Sequence, residues 1–372
     1  DCAGLISSRP LPVTPHYRLD PKYGQDATFA NHPVYGKWAF QRMLLAYEMD
    51  RPHRAWRLRF RVMWQEVPGK QEERATLAHQ VAALLLRLSA LQQAYTGLAP
   101  RFAEDGAINV WLTEKGDAGG EAYDNNIYLY NVSVPRSPTE WTREIAHEYG
   151  HQTMPPVGGY TKPEWGANGL LGERLYMRWL LLNRDTAESH PWVKALDPAD
   201  VLQQRLGKLV EQFAVVGPDA PAMRGTDRTA MENFVGFAAY LEMTRGSLYL
   251  INVLKSLSTP IYAGGQGFLE TLIGQETAYQ SPANALVTLR LGALPANLPL
   301  WVYLREGTWK GEIDAGAQAV PCKVEIDGKP ARQDDNGAFY SAALTKGWHR
   351  IVITADPPVE LWAPRGLKLI RQ

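Results

Sequence analysis

The stretch from Ser137 to His151 admits one local structure, and the rest of the chain has to be arranged around it. Ser137-Pro-Thr-Glu140 is a capping box with proline at the first helical position. The serine hydroxyl can accept from the backbone three residues on, and the glutamate can reach back. Ile145 and Tyr149 carry the helical period onward, and His147 and His151 stand one turn apart on a neighbouring face. Imidazoles at that spacing can reach one ion. Glu148 between them sits where a carboxylate can take a proton from a water at that ion. His147-Glu-Tyr-Gly-His151 therefore predicts a hydrolytic zinc site, with neutral His147 and His151 as ligands and Glu148 as general base.

A catalytic zinc takes three protein ligands and keeps one position open. Downstream of His151 the candidates are Glu164, Asn168, Glu173, Glu188 and His190. A helix is expected from about Pro163 to Leu182. At about 100° per residue it sets Glu164 roughly 180° and Asn168 roughly 140° from Glu173, so one face presents only one of them. The face of Glu173 also carries Gly169 and Gly166, which leave room for a second helix close by. Glu173 is the expected third ligand, with Glu164 and a more distant residue as the alternatives. For the oxyanion formed during hydrolysis, Tyr240 and His190 are the possible stabilisers, along with Tyr176 and Arg224, and nothing local selects among them.

Around this helix the pattern reads as α+β. Apolar side chains alternate with Arg57, Arg59 and Arg61 from Trp56 to Trp64, a half-buried strand. A helical stripe runs from Gln71 to Tyr95 and is closed by Gly97 and Pro100. Strands follow at Ile108–Leu112 and Ile127–Asn131, separated by a glycine-rich loop at Gly116, Gly119 and Gly120. The edge of the Ile127–Asn131 strand offers a place for an extended peptide to add as a further strand. Helices are expected at 198–216, 230–257 and, briefly, Phe268–Ile273. Strands return at Trp301–Leu304, Lys323–Ile326, His349–Thr354 and Leu367–Ile370, with turns at Asp327-Gly328 and Asn336-Gly337. The domains read as an arm over 1–51 with a strand around Trp38–Tyr47, a catalytic domain over 52–295 (α/β to 152, helical from 153), and a β-sandwich-like module over 296–372.

Composition narrows the partners. Thirty-nine basic residues balance 39 acidic ones among 372, with no long run of either sign, which argues against nucleic acid. No apolar stretch approaches the length of a membrane span. The start at Asp1-Cys2 suits a chain processed on export, hence a secreted, periplasmic or cell-surface protein. Cys2 and Cys322, the two cysteines, could pair in an oxidising compartment or stand as independent thiols.

With these residues in hand, the chain over roughly 52–275 resembles the gluzincin zinc metallopeptidases, thermolysin-like and aminopeptidase-like. The likeness rests on the strand–helix–strand–strand order, on His147-Glu-Tyr-Gly-His151 and on Pro163-Glu-Trp-Gly-Ala-Asn-Gly-Leu-Leu-Gly-Glu173. It implies a thermolysin-like fold, a small twisted sheet on the metal-binding helix followed by a helical subdomain. It also implies Zn²⁺, with the metal glutamate on the helix after the histidines, which suits Glu173. Many relatives carry Trp-x-x-Glu-Gly there. This chain departs from that pattern with Asn168 in Trp165-Gly-Ala-Asn168-Gly169. The His-Glu-x-Gly-His form is also similar to that of enhancin-like, mucin-targeting peptidases. Lys323-Val-Glu-Ile-Asp-Gly328 and Leu344–Ile353 resemble accessory β-sandwich modules of secreted enzymes. The expected function is zinc-dependent cleavage of peptide bonds in proteins, peptides or glycoproteins. The alternative is a non-catalytic glycan- or protein-binding protein on the same scaffold, its tryptophan-rich module forming the binding face.

Overall fold

The computed structural model describes residues 15–19, 28–32, 36–48, 59–98, 106–185, 190–257, 264–281, 285–295, 297–315, 321–356 and 364–372. The chain is α+β and falls into two compact units. One comprises Asp1–Met154 and Asn168–Val201, the other Pro155–Ala167 and Leu202–Gln372. No described helix is long and apolar enough to cross a membrane.

In chain order the first unit contains β1 (Pro15–Leu19), β2 (Thr28–His32), β3 (Gly36–Phe40), β4 (Arg42–Glu48), β5 (Arg59–Trp64), α1 (Gln71–Thr96), β6 (Ala107–Leu112), β7 (Gly119–Tyr123), β8 (Asn126–Tyr130), α2 (Pro138–Thr153), α3 (Asn168–Leu182) and the single turn α4 (Pro191–Lys194). Six strands form one mixed sheet in the order β1-β4-β5-β6-β8-β7. β5, β6 and β8 run parallel, so α1 serves as the crossover that parallel neighbours require. The strand predicted from Trp56 is described from Arg59 onward. Its Phe60, Val62 and Trp64 are buried as the alternation requires, and so is Met63.

Met63 is buried because the far face of the sheet is also covered. Trp38 and Phe40 of β3 pack there on Met63, Trp111, Tyr128 and Tyr130. Segment 1–51, expected as an arm with one strand, thus supplies β3 to that cluster and β1 and β4 to the sheet itself. On the helical side, the Tyr149 ring of α2 meets Phe60, and its hydroxyl donates to Gln92 Oε1 of α1 at 2.5 Å.

α2 begins as the sequence dictates. Glu140 N–H donates to Ser137 Oγ at 3.2 Å, and Ser137 N–H donates to Glu140 Oε2 at 2.7 Å. α3 begins five residues later than expected, at Asn168 rather than Pro163. The intervening residues spend their backbone groups on a loop: Trp165 C=O accepts from Tyr160 N–H at 3.1 Å, and Ala167 N–H donates to Val157 C=O at 2.8 Å. α2 and α3 then cross at glycines. A Cβ placed on Gly150 would stand 2.8 Å from Asn168 C=O and 2.9 Å from Gly172 Cα. Any side chain there would force the helices apart.

A π-helical segment, Ala199–Gly207, follows, and the second unit holds α5 (Lys208–Val216), α6 (Arg228–Arg245), α7 (Ser247–Lys255) and α8 (Gly264–Tyr279). The single helix expected over 230–257 is broken at Gly246, whose φ of +99° ends α6. The short helix expected at 268–273 is a full 16 residues. There follow β9 (Leu286–Arg290), β10 (Leu300–Leu304), β11 (Trp309–Asp314), β12 (Cys322–Ile326), β13 (Lys329–Pro330), β14 (Arg332–Gln333), β15 (Phe339–Tyr340), β16 (Gly347–Ala355) and β17 (Gly366–Arg371). They form two sheets, β10-β16-β12-β13 and β14-β15-β11-β17-β9. β9 lies before the expected module boundary at 295 yet pairs along β17.

The tryptophans of this half hold it together. Trp309 is buried and donates to Arg305 C=O, Trp301 Nε1 donates to Ala214 C=O of α5, and Trp348 packs edge-on against Phe237 of α6. Trp362 lies outside the described residues.

Two glycine substitutions separate contact from conformation. Gly172→Ala should lower unfolding free energy by about 1–3 kcal/mol in urea titrations, because its methyl meets Gly150 Cα. Gly274→Ala, in α8 with open space around it, should raise it by about 0.5–1 kcal/mol.

Candidate metal centre

α2 places His147 and His151 one turn apart, ring centroids 5.1 Å from each other. Each ring is held at its Nδ1. Glu173 Oε2 lies 3.1 Å from His147 Nδ1, and Asn168 Oδ1 lies 3.2 Å from His151 Nδ1. The opposite nitrogens converge. A Cβ built on Gly169 would stand 2.7 Å from His147 Nε2 and closer still to His151 Nε2. The absent side chain at 169 is therefore the space in which the two nitrogens meet. The two rings, their Nδ1 partners and Gly169 all belong to the first unit.

Glu173, expected as third ligand, thus sits behind His147 rather than across from its Nε2. The angular argument that set Glu173 against Glu164 placed both on one helix. Glu164 precedes that helix, so the argument does not reach it. Of the two glycines on the predicted face, Gly169 lies under the imidazoles as required, and Gly166 is in the loop, bridged to Gly158.

The Glu173 carboxylate is almost fully buried. Burial pushes its pKa up, but the hydrogen bond to His147 and the charges of Arg174 and Arg143 outweigh this and hold it below the ordinary carboxylate range. Arg174 pairs with Oε1, and Arg143 Nη1 lies 3.9 Å away. Two guanidinium groups thus offset the charge of this buried carboxylate.

Glu148 is buried against the backbone of β7. A Cβ on Gly120 would come within 2.7 Å of its Cγ and 2.8 Å of its Oε1. The glycine-rich loop expected at 116–120 is in part this strand, antiparallel to β8. Since β8 is paired by β6 on one side and β7 on the other, it has no open edge, and the strand addition expected there is ruled out. β7 is the terminal strand. Gly120 faces Glu148, whereas Glu121 accepts from the Tyr130 hydroxyl at 2.6 Å. Gly120 was not read from the sequence as part of a site; Asn168 was read as a candidate ligand, and the structure places its amide against His151 Nδ1 instead.

The expected oxyanion stabilisers Tyr240 and His190 have protein partners. The Tyr240 hydroxyl is buried in the second unit, donating to Trp301 C=O and accepting from Trp301 N–H, both at 3.1 Å. His190 caps α4, its Nδ1 accepting from Trp192 N–H at 3.2 Å and its Nε2 lying 2.8 Å from Gln80 C=O. Burial lowers its pKa. The Tyr176 hydroxyl is 2.8 Å from Thr153 Oγ1, and Arg224 is exposed at the end of a 3₁₀ turn. Cys322 heads β12 with its thiol pKa raised by burial. Its expected partner Cys2 lies outside the described residues, as does Glu188.

No protein-family model matches this chain, and no curated protein matches it. Among solved structures it is similar to the crystal structure of an aminopeptidase N family protein from Idiomarina loihiensis, at 12% identity and a TM-score of 0.24. The match covers 72% of this chain and 44% of that one, so the chain spans less than half its length.

Proposed function

We propose that this chain is a zinc-dependent hydrolase that cleaves peptide bonds in proteins or glycoproteins, with His147, His151 and Glu164 holding the ion and Glu148 as general base. The observation that carries the reading is the meeting of two Nε2 atoms over a glycine, each ring braced at its other nitrogen. Two imidazole nitrogens and one carboxylate oxygen are a donor set that zinc takes in hydrolytic sites. Bound there, zinc would supply Lewis acidity toward a water and a substrate carbonyl.

The chain's own groups do the remainder. Glu148 takes the proton of the attacking water and returns it to the departing amine. Gly120 leaves its carboxylate room to stand beside β7. Glu173 orients His147 by accepting from its Nδ1, the supporting role usual for a carboxylate behind a metal-binding imidazole, so Glu164 replaces it as the ligand. The outer edge of β7 is the place for an extended substrate, whose backbone would pair with the strand alongside Gly120 and so beside Glu148. The non-catalytic alternative leaned on a tryptophan-lined binding face, and Trp301, Trp309 and Trp348 are taken up in packing.

Metal analysis and cleavage of a generic protein such as casein test this together. Glu148→Gln should keep one zinc per chain and lose about 10²–10⁴ in kcat/KM. Glu164→Ala should lose the zinc. Glu173→Gln should keep it with affinity weakened about 10–100-fold. Full zinc retention in Glu164→Ala, with loss in Glu173→Gln, would return the ligand role to Glu173. A wild-type protein with no zinc and no cleavage would end the proposal.

Gly169→Ala adds a steric test. Its methyl would occupy the meeting point of the two nitrogens, so zinc content by mass spectrometry should fall to background while far-ultraviolet circular dichroism stays unchanged.

A further inference from the structure

We infer that Asn168 is a positioning residue that holds His151 in its Nδ1–H tautomer and so presents an unprotonated Nε2 over Gly169. The functional meaning of this rests on the zinc reading above; the tautomer itself does not.

The argument starts at the end of α2. A helix leaves its last carbonyls without partners. For His151 C=O the helical donor would be the N–H of residue 155, and that residue is Pro155, which has none. Asn168 Nδ2 donates to this carbonyl at 3.2 Å. A carbonyl oxygen only accepts, so the NH₂ end of the amide must face it. The Oδ1 end is thereby turned to His151 Nδ1, 3.2 Å away, and Oδ1 only accepts. Both bonds form together only with a proton on Nδ1, which in the neutral ring leaves Nε2 bare. Flipping the amide would set oxygen against oxygen at the carbonyl and demand a proton on Nε2, pointing into the space over Gly169.

A free histidine side chain in water favours the opposite tautomer, with the proton on Nε2, so the amide works against the intrinsic preference. The bracing is unlike that of His147, whose Nδ1 faces a carboxylate. Asn168 is buried at the first turn of α3, next to the glycine that clears the space. Asn168 turns the ring and Gly169 makes room for it. The residue that departs from the relatives' ligand position thus acts on the metal site through His151.

Long-range ¹H–¹⁵N correlation spectra of metal-free, ¹⁵N-histidine-labelled protein at pH 8 read the tautomers directly. Wild type should show His151 as one species with the proton on Nδ1. Asn168→Leu, similar in size with no acceptor, should shift it toward the Nε2–H form, and Asn168→Asp, which keeps an acceptor for Nδ1 but sets its second oxygen against His151 C=O, should stay closer to the wild-type pattern than Asn168→Leu. Zinc affinity measured against a competing chelator should fall about 10–100-fold in Asn168→Leu and less in Asn168→Asp. An Nε2–H ring in wild type, or an unchanged ring in folded Asn168→Leu, overturns the inference. If Asn168→Leu does not fold, the wild-type spectrum decides. If wild type binds no zinc, the zinc proposal falls and the spectrum still decides on Asn168.

Discussion

The close approach of α2 and α3 is the constraint on which the site depends. Gly150 on one helix and Gly172 on the other let the backbones touch where any other residue would hold them apart. The tight crossing brings side chains of the first two turns of α3 to the histidine Nδ1 atoms. Asn168 meets His151, Glu173 meets His147, and Gly169 underlies both rings. Three residues within six positions become three functions because the crossing is tight.

Much of this was legible, and the failures have a physical cause. The capping box, the histidine spacing and the glutamate between them depend only on local geometry, and α2 forms as read. The need for glycines on α3 was also readable, since a glycine in a helix interior calls for a packing reason. What could not be read was where α3 begins. Loop bonds from Val157 and Trp165 hold residues up to Ala167 out of the helix, and no local period reports such bonds. Once the start moves to Asn168, angular reasoning from Glu164 loses its axis. The same limit hid β7. Gly119 and Gly120 have poor strand propensity and read as loop, and pairing along β8 overrides that preference.

The carboxy-terminal half shows the opposite balance. Its strands were readable from alternation and turns, and four of them fall close to their expected places. Its tryptophans were ambiguous because an indole serves equally as a packing body or a binding surface. Their N–H groups resolve this for two of them: Trp301 and Trp309 both donate to backbone carbonyls. An indole so anchored contributes shape to the core and has no polar edge left for a ligand.

Charge explains why an amide rather than an acid stands behind His151. Glu173 already buries one negative charge, and Arg174 and Arg143 are the cations that offset it. Glu144 and Glu148 add carboxylates on the same helix as the histidines. An aspartate at 168 would place a further anion at the helix crossing, facing the His151 carbonyl oxygen that Asn168 now satisfies. A neutral acceptor that also donates keeps the imidazole oriented without adding to the negative field around the base.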